Sequence, residues 1–136
     1  MKDKTIAIIG CGNLGVTIAH GLLDDGFEAT ALTATRRNTA QLRDLAAKGV
    51  NVTSDNLSAV KGSDVVVLAV KPYNVKPILK EISGALNEGR HILVCLATGI
   101  TLAELAEWSG KTLPTFRAMP NTAADVNESM TMICDN

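Results

Sequence analysis

The stretch TIAIIGCGNLG, residues 5–15, decides the fold that this sequence predicts. Its first five residues form a continuous apolar run, which is typical of a strand buried on both faces in a parallel sheet. The run ends at Gly10, and from Asn13 onward apolar residues recur at helical spacing as far as Gly26, where a helix would end. The stretch therefore predicts a buried strand, a glycine-rich turn and a helix in direct succession.

The turn has the pattern G-x-G-x-x-G, and each glycine has a separate predicted role. Gly10 allows the tight turn, Gly12 lets the backbone approach a pyrophosphate, and Gly15 lets helix and strand pack closely. The free N–H groups at the start of the helix then supply donors and a positive dipole for phosphates. A glycine-rich turn without a ligand is the alternative, but the strand-turn-helix context favours dinucleotide binding.

Strand-like and helix-like segments alternate along the rest of the chain. Helices are predicted to begin at Asn38, Asn56, Asn74 and Thr101, and Thr101 forms a Thr-x-x-Glu capping box with Glu104. Such alternation predicts an α/β fold of the Rossmann type, with a doubly wound, mostly parallel sheet in one domain over residues 1–136. The further strands are predicted at residues 28–33, 50–53, 65–70, 92–96, 115–119 and 130–134.

The composition of the 136 residues excludes several classes of protein. Hydrophobic residues make up 46% of the chain, so disorder is not expected, and a formal net charge of -1 offers no basic surface to nucleic acid. The apolar run before Gly10 is too short for a signal peptide or a membrane span. Cys11, Cys95 and Cys134 are too scattered for a disulfide framework or a metal site. We expect a cytoplasmic protein that binds neither metal, membrane nor nucleic acid.

The end of the second strand predicts which dinucleotide is preferred. An Asp or Glu about 20 residues beyond the glycine loop holds the ribose 2′-hydroxyl of NAD in this fold. Residues 33–38 read TATRRN and contain no acid, whereas the guanidinium of Arg36 can pair with a 2′-phosphate. NADP(H) is therefore the predicted cofactor, with NAD(H) still possible. The alternative is that Arg36 and Arg37 only begin a solvated helix.

Ligands of open α/β sheets lie outside the carboxyl ends of the strands, so the residues that follow each strand are candidates for the site. Lys71 follows the most hydrophobic strand, where a cation could meet phosphate or a substrate carboxylate, although an isolated surface lysine is the alternative. The small polar turns at Thr98-Gly99 and Pro120-Asn121-Thr122 could line a nicotinamide, or could be plain turns.

Three segments, taken in order, resemble pyrroline-5-carboxylate reductase: the Gly10–Gly15 loop, LAVKP at residues 68–72 and RAMPNT at residues 117–122. That family reduces the cyclic imine 1-pyrroline-5-carboxylate to L-proline with NAD(P)H, the last step of proline biosynthesis. The resemblance covers essentially the whole chain and departs from the commonest pattern at Thr98 and at Ala123-Ala124. The resemblance implies a set of cofactor contacts, to which the loop motif adds Gly15. They are Ile9, Gly10, Cys11, Gly12, Asn13, Leu14, Arg36, Asn38, Asn56, Ala69, Val70, Lys71, Pro72, Leu96, Ala97 and Thr98.

The resemblance also implies what surrounds this domain. Family members carry a second, all-helical domain that forms the dimer and most of the imine pocket, and we expect this chain to lack it. The resemblance therefore implies the cofactor half of a homo-oligomeric reductase for a cyclic imine carboxylate, with little activity of its own. Two alternatives are a related deazaflavin-dependent NADP reductase and a stand-alone nucleotide-sensing module without catalysis.

No residue stands out as a catalytic proton donor. His20 is predicted on the first helix and His91 at the start of a strand, and both are expected to be structural or solvent-exposed. Cys11 is expected to fill space within the glycine loop, Cys95 to be buried, and Trp108 to pack against neighbouring residues.

Overall fold

The computed structural model describes residues 4–118 and 132–135, whose seven strands form one sheet. The strands are β1 (Ile6–Ile9), β2 (Leu32–Thr35), β3 (Asn51–Thr53), β4 (Val65–Leu68), β5 (Ile92–Cys95), β6 (Thr115–Ala118) and β7 (Met132–Asp135). Their order across the sheet is β3-β2-β1-β4-β5-β6-β7. The first six strands run parallel, and β7 is antiparallel to β6.

Helices connect the parallel strands. The five α-helices of the described residues are α1 (Asn13–Asp24), α2 (Arg43–Ala47), α3 (Asn56–Lys61), α4 (Pro72–Ile82) and α5 (Leu102–Ser109). Short 3-10 turns precede β2, precede α2 and follow α4, at Ala29–Ala31, Thr39–Leu42 and Ser83–Ala85 respectively.

Side chains of the central strands alternate between two apolar cores, one on each face of the sheet. In β1, Ala7 and Ile9 belong to a core that α3, α4 and α5 cover, while Ile6 and Ile8 belong to a second core beneath α1 and α2. This alternation follows from the period of two along a strand. Because helices cover both faces, the sheet is doubly wound, and the predicted Rossmann-type fold with a mostly parallel sheet is confirmed.

The order of the strands reverses between β1 and β4. The helix after β1 covers one face of the sheet and the helix after β4 covers the other, so the two connections diverge. A crevice forms outside the carboxyl ends of two strands that diverge in this way, and open α/β sheets bind their ligands there. The topology therefore places the candidate site at the ends of β1 and β4.

Some predicted boundaries are wrong by a few residues. The second strand begins at Leu32 rather than at residue 28, because Ala29–Ala31 form a 3-10 turn. Helix α4 begins at Pro72 rather than at Asn74. Proline is suited to the first position of a helix because the N–H that it lacks would have no partner there.

Two predicted helix starts are correct. Helix α3 begins at Asn56, after Asp55, whose side chain accepts the N–H of Ser58 at 3.2 Å. The capping box of α5 is also present, because Thr101 Oγ1 accepts the N–H of Glu104 at 3.0 Å while the Glu104 carboxylate accepts the N–H of Thr101 at 3.0 Å. Both caps satisfy N–H groups that the first turn of a helix leaves without backbone partners.

At the amino edge of the sheet, Asp64 joins the start of β4 to the start of β1. Its carboxylate accepts the backbone N–H of Thr5 at 3.0 Å and the Thr5 hydroxyl at 3.1 Å. Arg90 Nε donates to the other carboxylate oxygen at 2.9 Å. These bonds, chiefly the one from the Thr5 backbone, lower the pKa of Asp64 to about 2.

Acid should therefore weaken the native state through Asp64. Because its folded pKa lies below the ordinary value, the carboxylate stabilises the fold above about pH 4, and this contribution is lost as the pH falls toward about 2. We expect the difference in unfolding free energy between wild type and Asp64→Asn, measured by urea denaturation, to shrink between about pH 5 and about pH 2. A difference that stays constant over this range would contradict the expectation.

Candidate cofactor site

The carboxyl ends of β1, β4 and β5 lie side by side. Ala69 N–H donates to the Ile9 carbonyl at 2.9 Å, and Leu96 N–H donates to the Leu68 carbonyl at 3.1 Å. The side chains of Ile9 and Leu96 are buried, so these residues can offer a ligand only their backbone. The fold therefore brings the glycine loop and the segments that begin at Ala69 and Leu96 to one edge of the sheet.

The glycine loop makes its tight turn at Gly10, where φ is +72°. A β-carbon on Gly10 would lie 2.0 Å from Cγ1 of Val70, so the space above the turn is already filled. Gly12 N–H then donates to the Gly10 carbonyl at 2.7 Å. Both the left-handed backbone and the contact with Val70 require glycine at this position.

Gly10→Ala should strongly destabilise the protein. Overpacking alone costs about 1–3 kcal/mol, and the left-handed backbone adds to it, so we expect a loss of about 3 kcal/mol in urea denaturation. The double variant Gly10→Ala/Val70→Ala should recover part of this loss relative to Val70→Ala alone, because the overlapping methyl group is gone. A single variant as stable as wild type would show that the loop can rearrange freely.

The other two loop glycines have opposite surroundings. A β-carbon on Gly12 would meet nothing within 4 Å, and Gly12 gives α1 no side-chain cap. A β-carbon on Gly15 would lie 3.0 Å from Sγ of Cys11 and 3.2 Å from Cγ2 of Ile8, so α1 packs closely on β1 there. Gly12 therefore leaves open space beside the first N–H groups of α1, where a bound phosphate would find its donors.

Arg36 reaches from the end of β2 back to the glycine loop. Its Nη1 donates to the Cys11 carbonyl at 3.3 Å, and its backbone N–H donates to the Thr53 carbonyl at 3.2 Å. The Arg36 side chain is half-buried, whereas Arg37 is exposed. A guanidinium has five N–H donors, and the contact with Cys11 uses one of them. The two arginines therefore differ, and Arg36 is tied to the loop.

Burial makes the Cys11 thiol a space-filling group. Burial raises its pKa to about 11, an effect that the nearby Arg36 guanidinium partly opposes. The thiol is therefore protonated at neutral pH, and it packs beneath Gly15 as the sequence predicts. Burial also raises the pKa of Cys95. The side chain of Cys134 lies outside the described part of the structure.

Four further predicted contacts are exposed at the edge or hydrogen-bonded to other groups, whereas Ala97 is buried. Lys71 immediately precedes α4, Thr98 follows β5, and both are exposed. Asn38 accepts a backbone N–H at 3.1 Å and so caps the 3-10 turn before α2. Asn56 donates from Nδ2 to Glu81 of α4 at 3.3 Å. Contact of these four residues, and of every other residue predicted to bind the cofactor, stays a prediction.

Sequence reasoning gave Thr35, the last residue of β2, no role in holding the glycine loop. Its buried hydroxyl accepts the N–H of Gly10 at 3.0 Å, and its carbonyl accepts the N–H of Cys11 at 2.6 Å. A threonine at the end of a strand has no signature of its own in a sequence. The register between β1 and β2, which pairs Ile8 with Ala34, sets Thr35 opposite the loop.

His91 and Trp108 have structural surroundings. His91 is buried, and its Nδ1 accepts the N–H of Asn87 at 2.8 Å, so Nε2 carries the proton that it donates to the Val60 carbonyl at 2.9 Å. Trp108 is partly buried against the core beneath α4 and α5, with Nζ of Lys76 5.9 Å from its ring centroid. His91 is therefore structural and Trp108 contributes to packing, as expected.

Within residues 4–118 and 132–135, no group of three or more His, Cys, Asp or Glu side chains is placed to hold a metal ion. In the same ranges, no helix combines the length and apolar character that a membrane crossing requires. The predicted turn at Pro120-Asn121-Thr122 and the neighbouring Ala123-Ala124 lie outside these ranges.

Known proteins have sequences similar to that of this chain. The family model described as NADP oxidoreductase coenzyme F420-dependent matches residues 5–99. Pyrroline-5-carboxylate reductase 2 of Dictyostelium discoideum is 35% identical over 138 residues, which cover 98% of this chain and 46% of that protein.

Solved structures agree with the sequence relatives. A pyrroline-5-carboxylate reductase from Coxiella burnetii has a TM-score of 0.83 and 36% identity, over 88% of this chain and 44% of that one. An imine reductase from Myxococcus stipitatus, solved in complex with NADP+, has a TM-score of 0.68 and 26% identity, over 86% of this chain and 42% of that one.

The two reductases confirm the resemblance to pyrroline-5-carboxylate reductase that the sequence motifs indicate. The chain spans less than half the length of each of these relatives. The family match from residue 5 to residue 99 covers more than two thirds of the 136 residues. This protein therefore belongs, with its Rossmann-type domain, to the NADP oxidoreductase family described as coenzyme F420-dependent.

Proposed function

We propose that this chain is the cofactor-binding part of an NADP(H)-dependent imine reductase of the pyrroline-5-carboxylate type. Its substrate would be the cyclic imine 1-pyrroline-5-carboxylate and its product L-proline, formed in the last step of proline biosynthesis. The support for this substrate is the similarity to reductases of that name. The support for the dinucleotide comes from the geometry of the loop itself.

The observation that carries the cofactor proposal is the open space at Gly12 beside the first turn of α1. The N–H groups of that turn have no side-chain cap, and the N-terminus of a helix favours negative charge. A pyrophosphate could accept hydrogen bonds from these N–H groups, because no side chain lies within 4 Å of the β-carbon position of Gly12. The loop also lies at the reversal of strand order, where this fold binds dinucleotides.

Arg36 supports NADP(H) over NAD(H). The Cys11 carbonyl holds its guanidinium beside the glycine loop, at the end of β2. Residues 33–38 contain no Asp or Glu that could bind a ribose 2′-hydroxyl, and a carboxylate there would repel a 2′-phosphate. The imine reductase from Myxococcus stipitatus, which is similar to this chain, was solved with NADP+.

NADPH, when bound, would supply a hydride to the imine carbon and become NADP+, while the imine nitrogen takes up a proton from solvent. The chain's own residues would bind and orient the dinucleotide. The glycine loop would hold the pyrophosphate, and Arg36 would hold the 2′-phosphate. Lys71 is an exposed cation between β4 and α4, where it would attract phosphate or the substrate carboxylate. Holding the reactants in one orientation removes much of the entropic part of the barrier.

Calorimetric titration of the 136-residue chain with NADPH and, separately, with NADH tests the proposal. We expect NADPH to bind more tightly, and an assay of pyrroline-5-carboxylate reduction on the same preparation separates binding from catalysis. Since the chain spans less than half of its relatives, binding without turnover would still agree with a cofactor-binding role. Failure to bind either dinucleotide would overturn the proposal.

A deazaflavin-dependent NADP reductase is the second candidate, because the family description names coenzyme F420. The two candidates share the dinucleotide site and differ in what faces the nicotinamide. Oxidation of NADPH by the full-length protein in the presence of F420, but not of pyrroline-5-carboxylate, would favour the second candidate. A nucleotide-sensing module would bind NADPH but would not oxidise it in the presence of either F420 or pyrroline-5-carboxylate.

We also propose that the full-length protein is a homo-oligomer of the cytoplasm, as the resemblance to the reductases implies. Sedimentation of the full-length protein tests the first point, and fractionation of its native cells tests the second. Sedimentation as a monomer would contradict the proposed homo-oligomer. Recovery of the protein in a fraction other than the cytoplasm would contradict the proposed location.

A further inference from the structure

We infer that Thr35 is a positioning residue of the glycine loop, whose hydroxyl sets the affinity for any dinucleotide without touching one. The inference rests on the proposed function, because it concerns how that same site keeps its shape. Thr35 is only 1% exposed, so a ligand in the crevice cannot reach its side chain. Its influence on binding must therefore pass through the loop.

Thr35 accepts hydrogen bonds from two successive N–H groups of the loop. Its Oγ1 accepts the N–H of Gly10 at 3.0 Å, and its carbonyl accepts the N–H of Cys11 at 2.6 Å. Strand β1 ends at Ile9, so the Gly10 N–H lies beyond the strand and has a side-chain partner instead. A substitution can remove the first of these bonds and leave the second, because only the first uses the side chain.

A change at Gly10 reaches the phosphate-binding end of α1 through one hydrogen bond. The Gly10 carbonyl accepts the N–H of Gly12 at 2.7 Å, and Gly12 immediately precedes α1. Without the Thr35 hydroxyl, the Gly10 N–H would lose its partner, which is costly for a partly buried group. The loop would shift to recover a partner, and Gly12 would move with it.

Thr35 and Arg36 are neighbours whose effects on binding are separable. NADPH and NADH both contain a pyrophosphate, so loss of the Thr35 hydroxyl should lower the affinity for each of them by the same factor. Only NADPH carries the 2′-phosphate for which Arg36 is placed, so a change at Arg36 should alter the ratio of the two affinities. Adenosine 2′-monophosphate carries that phosphate and no pyrophosphate, so its affinity should depend on Arg36 and not on Thr35.

Two variants of Thr35 separate its hydroxyl from its shape. Thr35→Val removes the hydroxyl at nearly constant shape, and Thr35→Ser keeps the hydroxyl. In calorimetric titration of the full chain, we expect Thr35→Val to bind NADPH and NADH about tenfold more weakly, with their ratio unchanged. Adenosine 2′-monophosphate should bind the valine variant as it binds wild type. The serine variant should recover wild-type affinity for both dinucleotides.

Hydrogen exchange of the Gly10 amide gives a readout that needs no ligand. Exchange should become faster in Thr35→Val and stay at the wild-type rate in Thr35→Ser, because only the serine variant keeps the acceptor. Wild-type dinucleotide affinities in the valine variant would overturn the inference and leave the proposed function intact. Wild-type protein that binds neither dinucleotide would overturn both.

A purely structural role for the hydroxyl would also be visible. If adenosine 2′-monophosphate lost as much affinity as the dinucleotides, the hydroxyl would support the fold in general, and the inference would be wrong. Thr35→Ala provides a second variant without the hydroxyl, in case the valine variant does not fold. Failure of both to fold, while Thr35→Ser folds, would likewise overturn the inference.

Discussion

Gly12→Val should abolish dinucleotide binding and leave the fold intact. Gly12 has an extended backbone at negative φ, with φ -85° and ψ -152°, and a β-carbon there would meet nothing within 4 Å. The added methyl groups would occupy the space in which the pyrophosphate approaches the first N–H groups of α1. We expect calorimetric affinities for NADPH and NADH to fall at least about 100-fold, with the urea midpoint nearly unchanged.

Gly84→Val is the matched control for this substitution. Gly84 lies in the 3-10 turn after α4, and a β-carbon there would also meet nothing within 4 Å. This variant should keep wild-type affinity for both dinucleotides. A folded Gly12→Val protein with wild-type affinity would show that the pyrophosphate does not bind at this loop. Gly10→Ala differs from Gly12→Val, because it is expected to lower the free energy of unfolding, whereas Gly12→Val is expected to lower the affinity for dinucleotides.

Arg36→Glu should change the choice of cofactor more than any other single substitution at the site. It removes a guanidinium that is held beside the loop and puts a carboxylate in its place, which would repel a 2′-phosphate. We expect the affinity for NADPH to fall by about 100-fold or more, which is about 2.7 kcal/mol. The affinity for NADH should change by less than about threefold, because the glycine loop loses only the hydrogen bond from Arg36 to the Cys11 carbonyl.

Arg37→Glu is the control for charge, since it makes the same charge change on an exposed neighbour. Its effect on the affinity for NADPH should be small and should decline further as salt is added, because exposed charges are screened by solvent and ions. Equal losses of NADPH and NADH in Arg36→Glu would show that this arginine holds the loop but does not distinguish the cofactors.

Local patterns were enough to predict most of the fold. The continuous apolar run of residues 5–9 indicated burial on both faces, and the two cores on either side of β1 confirm it. The Thr101–Glu104 capping box also lies within four residues of chain, and it is present as predicted. The start of α4 was misplaced because a polar residue at Asn74 resembled a cap more than Lys71 did. Boundaries of this kind depend on small differences between competing local signals.

The sequence by itself determined the class of the sheet, the glycine loop and the absence of an acid at residues 33–38, since each depends on neighbouring residues. Only the tertiary structure decided which distant groups hold the loop. Thr35 and Arg36 contact residues that lie 25 positions earlier in the chain, and Val70, in the segment that follows β4, covers Gly10. The pairing of β2 and β4 with β1 sets these contacts, and the register of paired strands depends on burial across the whole sheet.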